Sequence, residues 1–315
     1  MKKIKVQKQN SITLNEGIEL FLRKCQVRNL TENTITSYKE KLRKFAYFYG
    51  GDEPVEEIEE ATIDEYVLQM RQEQLKDTSI NTYLRAIRSL LNYLMECGYV
   101  RDFPIRLLKV EKEVKETYTE DELRRLLKKP NMRKASFNEY RIWVLENYLL
   151  ATGNRIGTVL DLKIKDIDFQ NSMITLRKTK SRKQQIIPMA NSLAQVLQEY
   201  LGVRGGNEED YLFCNNWGGK ANKRTIQQCV ADYNVERGVN KTSCHLFRHT
   251  FAKMWIMNGG DAFRLQKMLG HSTLEMTKNY VQMFSSDLQQ GFNDFNPLEN
   301  LEMRRGNTIK ILGKK

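Results

Sequence analysis

Apolar residues recur at helical spacing along most of this chain, and one long stretch departs from that period. Between 165 and 189 it shortens to runs of three or four: Ile167-Asp-Phe169, Met173-Ile-Thr-Leu176 and Ile186-Ile-Pro-Met189. Gln170-Asn171 and a polar stretch from Arg177 to Gln185 separate them. Short β runs around turn signals predict a small antiparallel sheet. Most of the rest predicts helices, with Tyr211-Leu-Phe213 as a short extended piece. The expected fold class is mainly α with a small antiparallel β-sheet.

A second feature divides the helices into two groups. Residues 107–119 are mostly charged and poor in apolar side chains, the composition of an interdomain linker. A chain of 315 residues suits two domains, each with its own core. Before the linker, four helices are expected. The first spans 12–28, with Thr13 as cap and Glu16 as its reciprocal partner. The second starts at Thr31 or Asn33 and closes at Gly50-Gly51. Thr62 opens the third, and Thr78 or Ser79 the fourth, which ends at Gly98. Four helices in so short a stretch make a compact bundle. Lys39, Lys41, Arg43, Lys44, Arg85 and Arg88 fall between the apolar stripes. They are candidate phosphate contacts or simply a solvated face.

After the linker, Thr119 with Asp121 and Glu122 begins a helix from Leu123 to Lys129. Apolar spacing over 138–151 predicts another, followed by the turn Ala151-Thr-Gly153. Arg155 then lies beside apolar residues, at the start of a helix containing Val159, Leu160 and Leu162. An arginine in such a pattern is costly unless an anion or carboxylate receives it, or unless it snorkels to the surface. Lys178, Lys180, Arg182 and Lys183 lie in the expected turn of the β-hairpin. They read as phosphate contacts or as a solvated tip. Helices resume at 191–201, 225–237, 245–258 and 263–269.

The formal net charge is +12 with 51 Lys and Arg, which favours a polyanionic partner. No apolar run reaches the roughly 18 residues of a membrane span, and no signal-peptide core is present. The five cysteines are widely spaced without a CxxC pair, so no zinc site is indicated. An odd count without an export signal suits reduced thiols in the cytoplasm.

All three histidines, His245, His249 and His271, fall in one region. His245 and Arg248, three apart, share a helix face. Tyr280 follows His271 by nine residues. A histidine, an arginine and a tyrosine together can handle a phosphodiester. The guanidinium neutralises non-bridging oxygens, the imidazole moves a proton and the phenol oxygen attacks. A basic surface helix with a buried histidine is the plainer reading of the same stretch.

The motifs together resemble those of the tyrosine recombinase (phage integrase) family. Thr152-Gly-Asn-Arg155 with Leu160, Leu162 and Asp166-Ile-Asp168 is similar to its first arginine box. Lys180, eight residues before Pro188, stands where the hairpin lysine is found. His245-Leu-Phe-Arg248-His249 resembles the second box, and Leu269-Gly-His271 with Tyr280 the third. Each motif alone is weak, but five in family order make a specific signal. The likeness implies a basic arm at 1–10 and a helical, SAM-like core-binding domain at 11–106. A linker at 107–117, a mixed α/β catalytic domain at 118–285 and a tail at 286–315 follow.

The resemblance further implies site-specific recombination of DNA without cofactor or metal. Tyr280 would be the nucleophile, His245 the base and Lys180 the acid. Arg155, Arg248 and His271 would hold the phosphate. The implied partners are double-stranded DNA with inverted-repeat core sites, sister copies in a homotetramer on synapsed DNA, and a directionality factor. The implied location is the cytoplasm, at the nucleoid when DNA-bound. Integration or excision of a mobile element is the leading expected role. Chromosome-dimer resolution and a type IB topoisomerase-like activity are the alternatives. One position departs from the family: Thr158 stands where an acidic residue is common, and Asp161 is a candidate substitute. The apolar tail residues Leu288, Phe292 and Phe295 are expected to dock on their own domain or on a neighbouring subunit.

Overall fold

The computed structural model describes residues 11–110, 116–177, 184–271, 273–274 and 277–278. Two compact units divide the chain, Met1–Glu113 and Val114–Lys315.

The first unit holds helices α1 (Leu14–Val27), α2 (Glu32–Tyr49), α3 (Glu60–Gln72) and α4 (Asp77–Glu96). Thr13 and Glu16 close a reciprocal capping box on α1. Thr31 caps α2, and Gly50 ends it at φ 105°. The third and fourth helices start earlier than their hydroxyl residues suggested. Thr62 lies inside α3, where its Oγ1 accepts from the backbone N–H of Glu59 at 3.3 Å. Lys76, not Thr78 or Ser79, stands at the cap of α4 and makes no side-chain cap bond. The core forms along the α4 stripe: Ile80, Leu84, Ile87, Leu90, Leu91 and Leu94 are all fully buried. They meet Leu14, Phe21, Leu42, Phe45, Tyr66 and Met70 from the other three helices.

In the second unit α5 (Glu120–Leu126) begins with a Thr119–Glu122 capping box. It stops short of Lys129, and the carbonyl of its C-cap, Leu127, accepts from Trp143 Nε1 at 2.9 Å. The central helix α6 (Phe137–Thr152) is buried nearly all round and ends at Gly153, φ 62°. Next, α7 runs only from Ile156 to Val159. Leu160 and Leu162 were expected inside it but lie beyond it. There the chain pairs with the segment before Phe213: Leu212 N–H donates to Leu162 O at 2.8 Å and Ile164 N–H to Asp210 O at 3.0 Å.

Strands β1 (Ile167–Asp168), β2 (Met173–Leu176) and β3 (Gln185–Pro188) form an antiparallel sheet in sequence order. Ile174 faces Ile187 and Leu176 faces Gln185 across β2–β3. Ile174, Leu176 and Ile187 turn to the core, while Ile186 is exposed, the alternation of a half-buried strand. Helices α8 (Asn191–Arg204), α9 (Lys223–Glu236), α10 (Cys244–Met257) and α11 (Ala262–Leu269) follow. The expected fold class, mainly α with one small antiparallel sheet, is the one observed. No helix among the described residues is long and apolar enough to cross a membrane. The amino-terminal arm and the tail residues Leu288, Phe292 and Phe295 lie outside the described residues.

Candidate active site

Three sequence-distant segments of the second unit meet at one guanidinium. Arg248, on the second turn of α10, is 2% exposed. Its Nη1 donates to Gly153 O at 2.9 Å and its Nη2 to Leu269 O at 2.9 Å. Gly153 lies two residues before Arg155, and Leu269 two before His271. The second box therefore holds the first and third boxes through their backbones. A buried guanidinium needs such acceptors, since an unmet N–H in the core costs several kcal/mol at most and about 1–3 kcal/mol typically.

The turns receiving Arg248 are both left-handed glycines. Gly153 closes α6, and a Cβ there would sit 2.4 Å from the Phe251 ring. Gly270 closes α11 at φ 59° and hands the chain to His271. The His271 Nδ1 lies 2.9 Å from Thr277 Oγ1, and Thr277 is fully buried. A hydroxyl partner at one ring nitrogen orients the imidazole and can serve it as donor or acceptor. Thr277 carried no signal in the sequence beyond a place between His271 and Tyr280.

Arg155 stands half-buried at the N-cap of α7. Asp161 does not serve it as a substitute carboxylate, because it is paired with Lys220. His245, near the start of α10, is exposed, and its ring lies 4.6 Å from that of buried His249 at 77°. The edge-to-face contact gives His249 a packing role under His245. Cys244, beside His245, has its thiol pushed up to about 12 by burial, so it stays protonated and offers no competing nucleophile. Beneath, Tyr118 N–H donates to Thr250 Oγ1 at 2.9 Å, and the Tyr118 ring lies 4.6 Å from Phe247. These contacts lock α10 to the start of the unit.

Lys178, Lys180, Arg182, Lys183 and Tyr280 lie outside the described residues. In the first unit Lys39, Arg43 and Arg85 are exposed. The other three have internal partners. Lys41 donates to Ser37 Oγ, Lys44 pairs with Glu73 at 2.5 Å, and Arg88 donates to the Ile105 carbonyl. Among the described residues no cluster of three or more His, Cys, Asp or Glu side chains could hold a metal ion.

Residues 116–286 match the model of the phage integrase family, and 18–101 that of its N-terminal SAM-like domain. The chain belongs to the phage integrase family, the tyrosine recombinases. It is accordingly a DNA strand-transesterifying enzyme. The chain is 27% identical to tyrosine recombinase XerD of Staphylococcus haemolyticus over 89% of its own length and 98% of the relative's. The fold is similar to that of the Tn1549 transposon integrase bound to transposon right-end DNA, with TM-score 0.72, 21% identity, and coverage of 84% of this chain and 94% of that one. It is also similar to that of the lambda integrase tetramer on a Holliday junction, with TM-score 0.69, 18% identity, and coverage of 85% and 80%.

Proposed function

We propose that this tyrosine recombinase cuts and rejoins DNA at a specific site through a 3′-phosphotyrosyl intermediate and a Holliday junction. The observation that supports this most directly is the Gly153–Arg248–Leu269 bridge, which draws the three motifs to one place. The Tyr280 oxygen attacks the scissile phosphorus, and the bond to the 5′-oxygen breaks. His245 takes the phenolic proton, whose ordinary pKa of about 10 calls for such a base. Lys180 gives a proton to the departing 5′-oxygen. Arg155 and Arg248 bind the non-bridging oxygens, and His271 adds a hydrogen bond. The phosphodiester is exchanged for a phosphotyrosyl ester, so no nucleotide cofactor is needed. The return attack by a 5′-hydroxyl restores the DNA.

Relatives named Xer match almost end to end. That favours chromosome-dimer resolution over the mobile-element role expected from the sequence. The likeness to the lambda integrase tetramer on a Holliday junction supports oligomeric assembly on DNA, which we take to be a tetramer on two paired inverted-repeat sites. A nicked suicide substrate tests the chemistry. Wild type traps a covalent protein–DNA complex on a denaturing gel, and Tyr280→Phe binds the same DNA without trapping. Covalent product from Tyr280→Phe removes Tyr280 from its role. Lys180→Ala slows cleavage by about 10²-fold, the scale of a proton donor. A 5′-bridging phosphorothiolate, whose leaving group needs no proton, rescues Lys180→Ala but not Arg155→Ala. Relaxation of supercoiled DNA without junction formation would favour the topoisomerase-like activity instead.

A further inference from the structure

At the end of α11 the carbonyls of Lys267, Met268 and Leu269 lie past the last helical i+4 bond, which Gly270 N–H makes to Gln266 O. Each of them has an acceptor role. Gly270 N–H donates to Gln266 O and Lys267 O, and His271 N–H donates to Gln266 O at 3.1 Å. Leu269 O takes Arg248. Met268 O takes Gln185 Nε2 at 3.1 Å, and the same amide nitrogen reaches Lys267 O. Gln185 is the first residue of β3, paired with Leu176 across the sheet. Its Oε1 lies so close to Gly270 that a Cβ on that glycine would approach it to 2.9 Å.

The turn that presents His271 is therefore gripped from two sides. Arg248 holds it from α10, and Gln185 holds it from the sheet. The arginine belongs to the proposed chemistry, but the glutamine has no part in it. We propose that Gln185 is a positioning residue. Its side-chain amide ties the last turn of α11 to β3 and so sets where the His271 imidazole stands. This rests on the recombinase reading above, in which His271 touches the phosphate. A carbonyl pair at a helix end repels anions and accepts donors, so the amide N–H is the functional group and not the length of the side chain. Glutamate at the same place would set a carboxylate against those carbonyls.

The test is a double-mutant cycle on single-turnover covalent trapping with the suicide substrate. Gln185→Met keeps the length and loses the donor. It is expected to slow trapping by about tenfold, the scale of one hydrogen bond at a helix end, with site affinity unchanged. In a His271→Ala background the same substitution is expected to cost less than about twofold, because the two residues act as one unit. Gln185→Lys restores a donor and is expected to return the rate to within about threefold of wild type. A readout that does not depend on activity is the imidazole spectrum, which contains three histidines. In Gln185→Met the His271 signals shift while those of His245 and His249 stay. An equal loss in both backgrounds, an unmoved His271 signal, or wild-type trapping by Gln185→Met overturns the proposal and leaves the recombinase reading intact. Failure of the wild type to trap DNA at all overturns both.

Discussion

The two cores of this molecule are built differently. Among the described residues of the first unit, Asn81 is the buried polar side chain, and its amide is bonded both ways with the backbone of Leu108. In the second unit Arg141, Glu146, Asp166, Arg248 and His249 are all buried. A charge in a core is costly unless it is met, and most of these are met. Arg141 donates to the Cys214 carbonyl and to Asn138 Oδ1 at 2.6 Å. Asp166 accepts from Arg177 at 2.5 Å and from Lys163 N–H at 2.9 Å. Arg248 has its two carbonyls. Glu146 differs: neither carboxyl oxygen has a hydrogen-bond partner among the described residues, and burial pushes its pKa well up. The first unit is held by shape and apolar area. In the second, Arg141, Asp166 and Arg248 use buried polar groups to tie separate segments together.

That contrast can be broken at four places. Arg248→Lys keeps a charge but loses the planar fork. It is expected to lower single-turnover cleavage by about 10²–10³-fold, the scale of one oxyanion donor, in a gel-trapping assay. If cleavage survives within a few-fold, the polar junction in the second unit is structural only. Leu90→Ala, in the first core, is expected to destabilise that unit by about 2–5 kcal/mol. Urea denaturation reads the loss, and the trapping rate per folded, DNA-bound molecule stays near wild type. Loss of chemistry in folded Leu90→Ala would mean the first core is not the passive one.

Gly153→Ala forces a left-handed alanine against the Phe251 ring. The expected cost exceeds about 1 kcal/mol, with a parallel fall in cleavage because Gly153 O holds Arg248. Thermal melting and trapping on the same sample separate the two. The smallest effect belongs to Glu146→Gln. Glu146 has a folded pKa raised above its unfolded value, so its contribution to stability is intact below about pH 4.3 and falls as the pH rises toward the folded pKa. The neutral amide removes that loss. Glu146→Gln is expected to melt on the order of 3 °C higher at pH 8, the shift of about 1 kcal/mol in a domain of this size, and to match wild type near pH 4. A melting difference that does not vary with pH would show that the Glu146 carboxyl is not carrying the linkage.

Helix positions were legible where one stripe faced one core. The α4 stripe and the Thr13–Glu16 box could be read directly, because periodicity and capping are local. The errors fall where a distant segment intervenes. Leu162 looked helical, but Leu212 takes its carbonyl, and the helix closes at Leu160, its C-cap. Thr78 and Ser79 looked like caps, yet α4 starts before them with no side-chain cap. In the candidate site, Arg155, His245, Arg248 and His271 were singled out by local pattern together with the family resemblance. Thr277 and Gln185 were not, since nothing local marks a threonine that meets an imidazole or a glutamine that closes another element's helix end.

The sequence by itself determined the mainly helical class and the single small sheet. Those properties depend on periods and spacings within a few turns of chain. Only the tertiary structure decided that one arginine bolts Gly153 to Leu269, that Asp161 belongs to Lys220 rather than Arg155, and that Lys44 and Arg88 have internal partners. Each of those outcomes is a choice of hydrogen-bond partner between segments far apart in sequence. Donors and acceptors are alike in type along the whole chain, so only their placement in the packed fold selects which pair forms.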